Sequence, residues 1–245
     1  MNLSELQEFA GHGVPEAQYA IAICYENGIG VGIDAEEARK WYGRAAAQGF
    51  SAAQYEMSKL LASDGENRLL ESVRWLKIAS ENNFAPAQFL MSLYYESGVG
   101  LDIDLAESFR ESLRAAKQGY APAIRRTALM FEEGRGVPID LEEAFRWHER
   151  SAEAGEVDSF ASIGRMYANG LGVERNSDRA LEWFLKGSEA GSPWACLSLA
   201  AIYRFGELGQ SIDSVRADEL NAKATDLMEQ RKTDSALARR RIAGQ

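Results

Sequence analysis

Small and apolar residues recur along most of this chain at the spacings of an amphipathic helix, and the helix-sized blocks themselves recur about every 36 residues. In the first block Ala17, Ile21, Ala22, Cys24 and Tyr25 share one arc. That arc predicts a helix, A, opening near Pro15 and stopping at Gly28, where a left-handed backbone suits glycine. A second helix, B, is predicted from an N-cap at Asp34. Glu36 and Glu37 lie near its positive end, Ala38, Trp41, Tyr42, Ala45 and Ala46 form its buried stripe, and Gly49 stops it. The blocks start at Ala17, Ala53, Ala87, Ala123, Ser159 and Ala195, with steps of 36, 34, 36, 36 and 36. Eight positions on stand Tyr25, Tyr95, Phe131, Tyr167 and Tyr203, and three further on Gly28, Gly98, Gly134, Gly170 and Gly206. Trp75, Trp147 and Trp183 repeat Trp41, and Asn83, Gly119, Gly155 and Gly191 repeat Gly49.

A period of this size predicts an all-α solenoid, in which each hairpin buries its face against its neighbours. The expected organisation is a single solenoid domain over 1–245, with an N-terminal capping helix over 1–13. Repeats follow over 14–50, 51–84, 85–120, 121–156, 157–192 and 193–228, then a cap extension and tail over 229–245. Ala10 and Gly13 lie 36 before Ala46 and Gly49, so the first segment reads as helix B of an absent repeat. Val215 to about Ala238 reads as one longer polar helix, with Arg239, Arg240 and Arg241 at its negative end. Two departures stand out. Repeat two has the short connection Ser63 to Arg68, and repeat three has Glu111 and Ser112 in place of the Trp-aromatic pair, which predicts a weaker seam and a solvated Glu111.

Charge narrows the partner classes. The net charge of −10 opposes nucleic acid and anionic membrane and suits a basic protein partner. No apolar run approaches membrane length, and Met1 to Gly11 lacks the basic and apolar regions of a leader. Cys24 and Cys196 stand five repeats apart, too far to bridge, and read as packing thiols. Together these features predict a cytoplasmic protein.

Apparent chemical signals have plainer readings. The Gly-x-Gly loops follow helices, not strands, and none ends in the Gly-Lys-Ser/Thr run of a phosphate loop. His12 and His148 lie at different repeats, so no two-histidine metal site is expected, and His148 takes the aromatic slot beside Trp147 as a packing residue. No serine stands in a nucleophile elbow. Acid pairs such as Glu36-Glu37, Glu132-Glu133 and Glu142-Glu143 read as helix-dipole partners on solvated faces. No catalytic residue, cofactor or metal is expected.

The repeat resembles the Sel-one-like repeat (SLR), a relative of the tetratricopeptide repeat. The resemblance rests on Ala17-Gln18-Tyr19, Tyr25 to Val31, Asp34, Ala38, Trp41-Tyr42 and Ala45 to Gly49. Gly134 to Val137 with Asp140, Ala144 and Trp147 carry it again, as do Gly170 to Val173 with Ala180 and Trp183-Phe184. It covers about residues 14 to 210. It implies an α/α right-handed superhelix with helix A on the inner surface, and a non-enzymatic scaffold or adaptor for protein–protein interaction. An immunity protein neutralising a cognate toxin is the specific alternative. A cell-wall or β-lactam hydrolase is a further one, opposed by the lack of paired cysteines in each repeat. A monomer is expected, with self-assembly as a competing reading.

Helical geometry locates the candidate binding face. At about 100° per residue, offsets 3, 6 and 10 from each block start fall on a stripe of helix A separate from the packing positions. The stripe reads Ala20, Ile23, Asn27; Glu56, Lys59, Ser63; Leu90, Leu93, Ser97; Arg126, Leu129, Glu133; Ser162, Arg165, Asn169; Ser198, Ala201, Phe205. Its middle is apolar at Leu90, Leu93 and Leu129, with Lys59, Arg126 and Arg165 as flanking cations. An extended segment or helix is expected to dock there, the leucines anchoring it and the cations orienting its acidic groups.

Overall fold

The computed structural model describes the backbone of residues 3–242 and the side chains of residues 3–237. Among the described residues there are thirteen α-helices and no strand. They are α1 (Leu3–Gly11), α2 (Pro15–Asn27), α3 (Ala35–Ala47), α4 (Ser51–Ser63), α5 (Leu69–Glu81), α6 (Ala85–Ser97) and α7 (Leu105–Lys117). Then come α8 (Ala121–Glu133), α9 (Leu141–Glu153), α10 (Asp158–Asn169), α11 (Ser177–Glu189), α12 (Pro193–Phe205) and α13 (Ser214–Ile242). The chain divides into two compact units, Met1–Ala123 and Ile124–Gln245, here units 1 and 2.

The recurring residues make one recurring corner. The backbone turns left-handed at Gly28, Gly98, Gly170 and Gly206, with φ between 70° and 72°. The aspartate that opens helix B then closes the corner twice. Its side chain accepts from the backbone three residues on, as at Asp34–Glu37 (3.0 Å), Asp104–Glu107 (2.9 Å) and Asp140–Glu143 (3.0 Å). Its own N–H donates back to the aromatic residue's carbonyl, at 2.9 Å from Asp34 to Tyr25 and 3.0 Å from Asp140 to Phe131. Asn176 and Asp213 do the same in the last two repeats. The fixed interval between aromatic, glycine and aspartate is therefore the geometry of one hydrogen-bonded turn.

In unit 1, consecutive helices pack as antiparallel hairpins around Ala22, Ala38, Tyr42, Ala45 and Ala53, and again around Leu76, Ala79, Ala87 and Met91. A ladder of buried amides, absent from the sequence reading, ties each helix A to the preceding helix B. Gln18, Gln54 and Gln88 donate to the carbonyls of Ala10, Ala46 and Ser80 at 3.2, 3.2 and 3.3 Å. Gln48, Asn82 and Gln118 then donate to the three glutamine side-chain oxygens. Each amide thereby adds a second donor to a helix-end carbonyl that also accepts the backbone N–H three residues on, and the buried glutamine finds its own partners in doing so.

At repeat three the expected solvated Glu111 is not found. Its carboxylate is largely buried and accepts from Ser80 Oγ at 2.6 Å and from Arg114 at 2.7 Å, while Arg114 reaches the Ser80 carbonyl at 3.0 Å. Ser112 is fully buried. A polar clamp occupies the place of the indole.

Unit 2 has its core at Phe145, Ile163, Met166, Tyr167, Phe184, Leu199 and Tyr203. Two helix-interior glycines, Gly164 and Gly187, lie against neighbouring side chains so closely that a Cβ would fall 2.7 Å from the Phe184 ring and from Ala195 Cβ. The indoles sit as expected: Trp147 is buried, and Trp41, Trp75 and Trp183 are half-buried. A cation three residues on covers three of them, Arg44 over Trp41 at 4.3 Å, Arg150 over Trp147 at 4.6 Å and Lys186 over Trp183 at 5.1 Å. The last helix begins one residue before the expected start and runs past Ala238 to Ile242. The side chains of Arg239, Arg240 and Arg241 lie outside the described residues.

Candidate functional site

The stripe of helix A divides between the two units. In unit 1, Ile23, Leu90 and Leu93 are half-buried, and Glu56 pairs with Lys59 at 2.7 Å. Lys59 also lies over the Tyr55 ring at 5.2 Å, and burial pushes the Tyr55 phenol up to about 12. The offset-10 residues turn their polar groups to their own helix: Asn27 donates to Ile23 O at 3.0 Å and Ser97 to Leu93 O at 2.7 Å. These are bonds back to the carbonyl four residues earlier, one that the helix ladder also uses, so they keep the two polar groups on their own helix.

In unit 2 the stripe forms part of a groove. Helices α10 and α12 touch, and between them lies an open groove of about 960 Å³. Ser162, Arg165, Asn169, Ser198 and Ala201 all line it, as the helical arithmetic expects. Phe205 is exposed and not among its lining residues. Arg126 and Leu129 are half-buried on α8, and exposed Glu133 lies 3.8 Å from Arg135. Asn169 donates to Arg165 O at 3.0 Å, matching Asn27 in unit 1.

The groove also holds residues that offset counting does not reach. Its floor includes Ala161, Leu197 and Ile202, Trp194 stands at its edge half exposed, and Arg125, Arg175, Asp158 and Glu207 add charge. Asp158 is engaged from outside the groove. Arg231 of α13 grips its carboxylate with three contacts of 3.0 to 3.1 Å, Ser192 Oγ donates at 3.2 Å, and Arg125 lies 4.0 Å away.

Arg165 is steered from behind. Glu132 binds it at 2.5 Å and also takes His148 Nε2 at 3.3 Å. Glu132 is thus neither solvated nor a mere dipole partner, and His148 does more than pack. A carboxylate offers only acceptors, so His148 Nε2 carries the proton and the buried Nδ1 is left without a partner. The hydrogen bond from His148, then that from Arg165, hold the Glu132 carboxyl below its ordinary value of 4.5. Repeat one builds the same bond differently: Tyr42 OH donates to Glu26 at 2.7 Å, and burial followed by that bond pushes the phenol well above its ordinary value.

The pH consequence has a definite sign. Glu132 binds its proton less tightly in the folded chain, so its ionised form stabilises unit 2 fully above about pH 4.5, and the contribution is lost as pH falls through the folded value. Glu132→Gln should flatten the acid limb of stability relative to the parent chain. Urea midpoints measured from pH 6 down to about pH 3 check this, and parallel curves would count against the buried pairing.

The comparisons with known proteins agree with this geometry. The family model of the Sel1 repeat matches residues 15–50, 51–84, 85–120, 121–156 and 161–192. The chain belongs to the Sel1 repeat family. A Sel1 repeat protein from Oxalobacter formigenes is 30% identical, with a TM-score of 0.71 over 86% of this chain and 84% of that one. A protective antigen present in uropathogenic Escherichia coli strains, displaying an SLR fold, is 31% identical with a TM-score of 0.83. That match covers 92% of this chain and 49% of the antigen. Chitin synthase regulatory factor 3 of Schizosaccharomyces pombe is 45% identical over 47 residues, 19% of this chain and 5% of that protein.

This Sel1 repeat chain is thus all-α and of the solenoid class. Sel1 repeats generally mediate protein–protein interaction and typically serve as non-catalytic scaffolds. No group of three His, Cys, Asp or Glu able to hold a metal occurs among the described residues, and no described helix is long and apolar enough to cross a membrane. Both cysteines are free, Cys196 buried and Cys24 half-buried.

Proposed function

We propose that this Sel1 repeat protein is a non-catalytic interaction module that receives a protein or peptide on its helix-A faces. The observation that carries the reading is the groove between α10 and α12. Five stripe positions that helix packing leaves over, Ser162, Arg165, Asn169, Ser198 and Ala201, line one open cavity of about 960 Å³. An apolar floor with a few fixed polar groups is the usual make-up of a recognition site. The half-buried leucines of unit 1, Leu90 and Leu93, offer apolar contact on the equivalent helix face. Two free thiols suit a reducing compartment, and the reading places the protein in the cytoplasm as an adaptor.

The test takes a partner identified by affinity capture and measures its Kd by calorimetry. Ala201→Asp in unit 2 or Leu93→Asp in unit 1 should weaken binding at least about tenfold, roughly 1.4 kcal/mol, with helicity unchanged. Leu70→Asp, on an exposed outer position of α5, should leave it unchanged. If neither face substitution weakens binding while Leu70→Asp does, the face is wrong.

A further inference from the structure

Arg175 departs from a rule that the four other repeats with this corner keep. The residue just before the helix-B cap is Ile33, Ile103, Ile139 and Ile212 elsewhere, each exposed and, at Gly28, Gly98, Gly134 and Gly206, laid over the left-handed glycine of its own corner. In repeat five it is an arginine, and that arginine lines the α10–α12 groove beside Arg125 and Arg165. Three arginines thus line one cavity of a chain whose net charge is −10. The carboxylates there offset them only in part: Glu132 pairs with Arg165, and Asp158 lies 4.0 Å from Arg125. Asp158 is covered by Arg231 from α13, and Glu207 is exposed.

We propose that the α10–α12 groove binds an acidic polypeptide segment, and that Arg231 on the last helix sets the sign of the groove by masking Asp158. This rests on the reading of the helix-A face above and adds the chemistry of the ligand. Side-chain carboxylates of the segment pair with Arg125, Arg165 and Arg175, whose planar forks suit carboxylate oxygens. A large apolar side chain sits against Trp194 and the floor of Ala161, Leu197 and Ile202. Arg165 is held ready by Glu132, which reduces the ordering cost on binding. An apolar floor and one exposed indole favour a peptide over a nucleic acid, and the acidic remainder of the chain repels a long polyanion.

Fluorescence anisotropy on the full chain tests this, using a labelled twelve-residue peptide of Asp and Glu around a central Leu-Phe pair. Its Asn/Gln counterpart, its Lys counterpart and a twelve-nucleotide single-stranded DNA are the comparison probes. The acidic peptide should bind saturably and more weakly as salt rises, with the Asn/Gln peptide at least about tenfold weaker and the Lys peptide inert. Arg165→Gln and Arg175→Gln should each weaken the acidic peptide roughly five- to tenfold. Arg231→Gln should weaken it although that residue lies outside the groove lining, and adding Asp158→Asn should restore it. Asp158→Asn alone should tighten binding, which keeps the mask testable if Arg231→Gln unfolds the chain.

Equal binding of the Asn/Gln peptide, competition by the DNA, insensitivity to the arginine substitutions or no peptide binding at all would each overturn the proposal. The two levels separate cleanly. A captured partner that is lost on Ala201→Asp yet indifferent to Arg165→Gln and Arg175→Gln keeps the face and removes the acidic ligand. A partner indifferent to Ala201→Asp, with the acidic peptide still bound through the arginines, does the reverse.

Discussion

Gly172→Ala should be among the most damaging single substitutions in this chain. The added Cβ would fall 1.9 Å from the carbonyl oxygen of Leu141 and 2.2 Å from its carbon, so it meets backbone and not a side chain that can swing aside. The site is also left-handed, with φ of 67°. Left-handed strain costs about 1–2 kcal/mol and forced overpacking about 1–3 kcal/mol, which together predict a loss of roughly 2–5 kcal/mol, with the backbone clash placing it at the upper end. The second glycine of other corners approaches the start of an earlier helix B in the same way: Gly100 lies against Leu69 and Val73, and Gly30 against Leu3. There the contact is with flexible side chains, so the same change should cost less. Gly49→Ala is the control, because it shares the positive φ but has open space around it and should lose only about 1 kcal/mol. Urea unfolding followed by circular dichroism compares the four. Equal losses at Gly172 and Gly49 would mean that the close approach does not exist.

The second large effect is a coupled pair. Phe184 is nearly fully buried in the unit 2 core, and its ring lies where a Cβ on Gly164 would come within 2.7 Å. Phe184→Ala should cost about 3–5 kcal/mol, the usual range for deleting a buried aromatic ring. Gly164→Ala should cost about 1–3 kcal/mol through overpacking. The two should not add. Once the ring is gone the new methyl has room, so the double variant should be more stable than the sum predicts by about 1 kcal/mol or more. Strict additivity in a double-mutant cycle would contradict the packing of α10 against α11 described here.

Local rules were the readable part of this sequence. A left-handed glycine, an aspartate cap and an aromatic at fixed intervals interact within about ten residues, so Tyr25, Gly28 and Asp34 announce the corner without knowledge of the rest of the chain. The stripe of helix A was readable for the same reason, since angle alone assigns Ser162, Arg165 and Asn169 to one side. What escaped depends on partners distant in sequence. Gly164 and Gly187 look like poor helix residues until Phe184 and Ala195 are seen against them. Glu111 looked like a hole in the stack because Ser80, 31 residues earlier, and the neighbouring Arg114 complete its clamp.

Glu132 had a signal that the acid-pair reading overlooked. In the first five repeats the residue at offset 9 of helix A and the slot after the tryptophan position change together. They are Glu26 with Tyr42 and Glu132 with His148, but Ala168 with Phe184 and Ala62 with Leu76. A donor in the slot accompanies a carboxylate, and an apolar residue accompanies alanine, because a buried donor and acceptor must be kept or lost as a pair. Trp194, Arg125 and Asp158 fall outside the counted offsets, and only the adjacency of α10 and α12 brings them to the groove.

Amide hydrogen exchange on the full chain, alone and saturated with its identified partner, tests the binding face most directly. The account predicts slowed exchange in α10 and α12 along the groove, with the outer helices α9 and α11 unchanged. Protection confined to α9, α11 or the exposed isoleucine corners, with α10 and α12 exchanging as in the free chain, would contradict it.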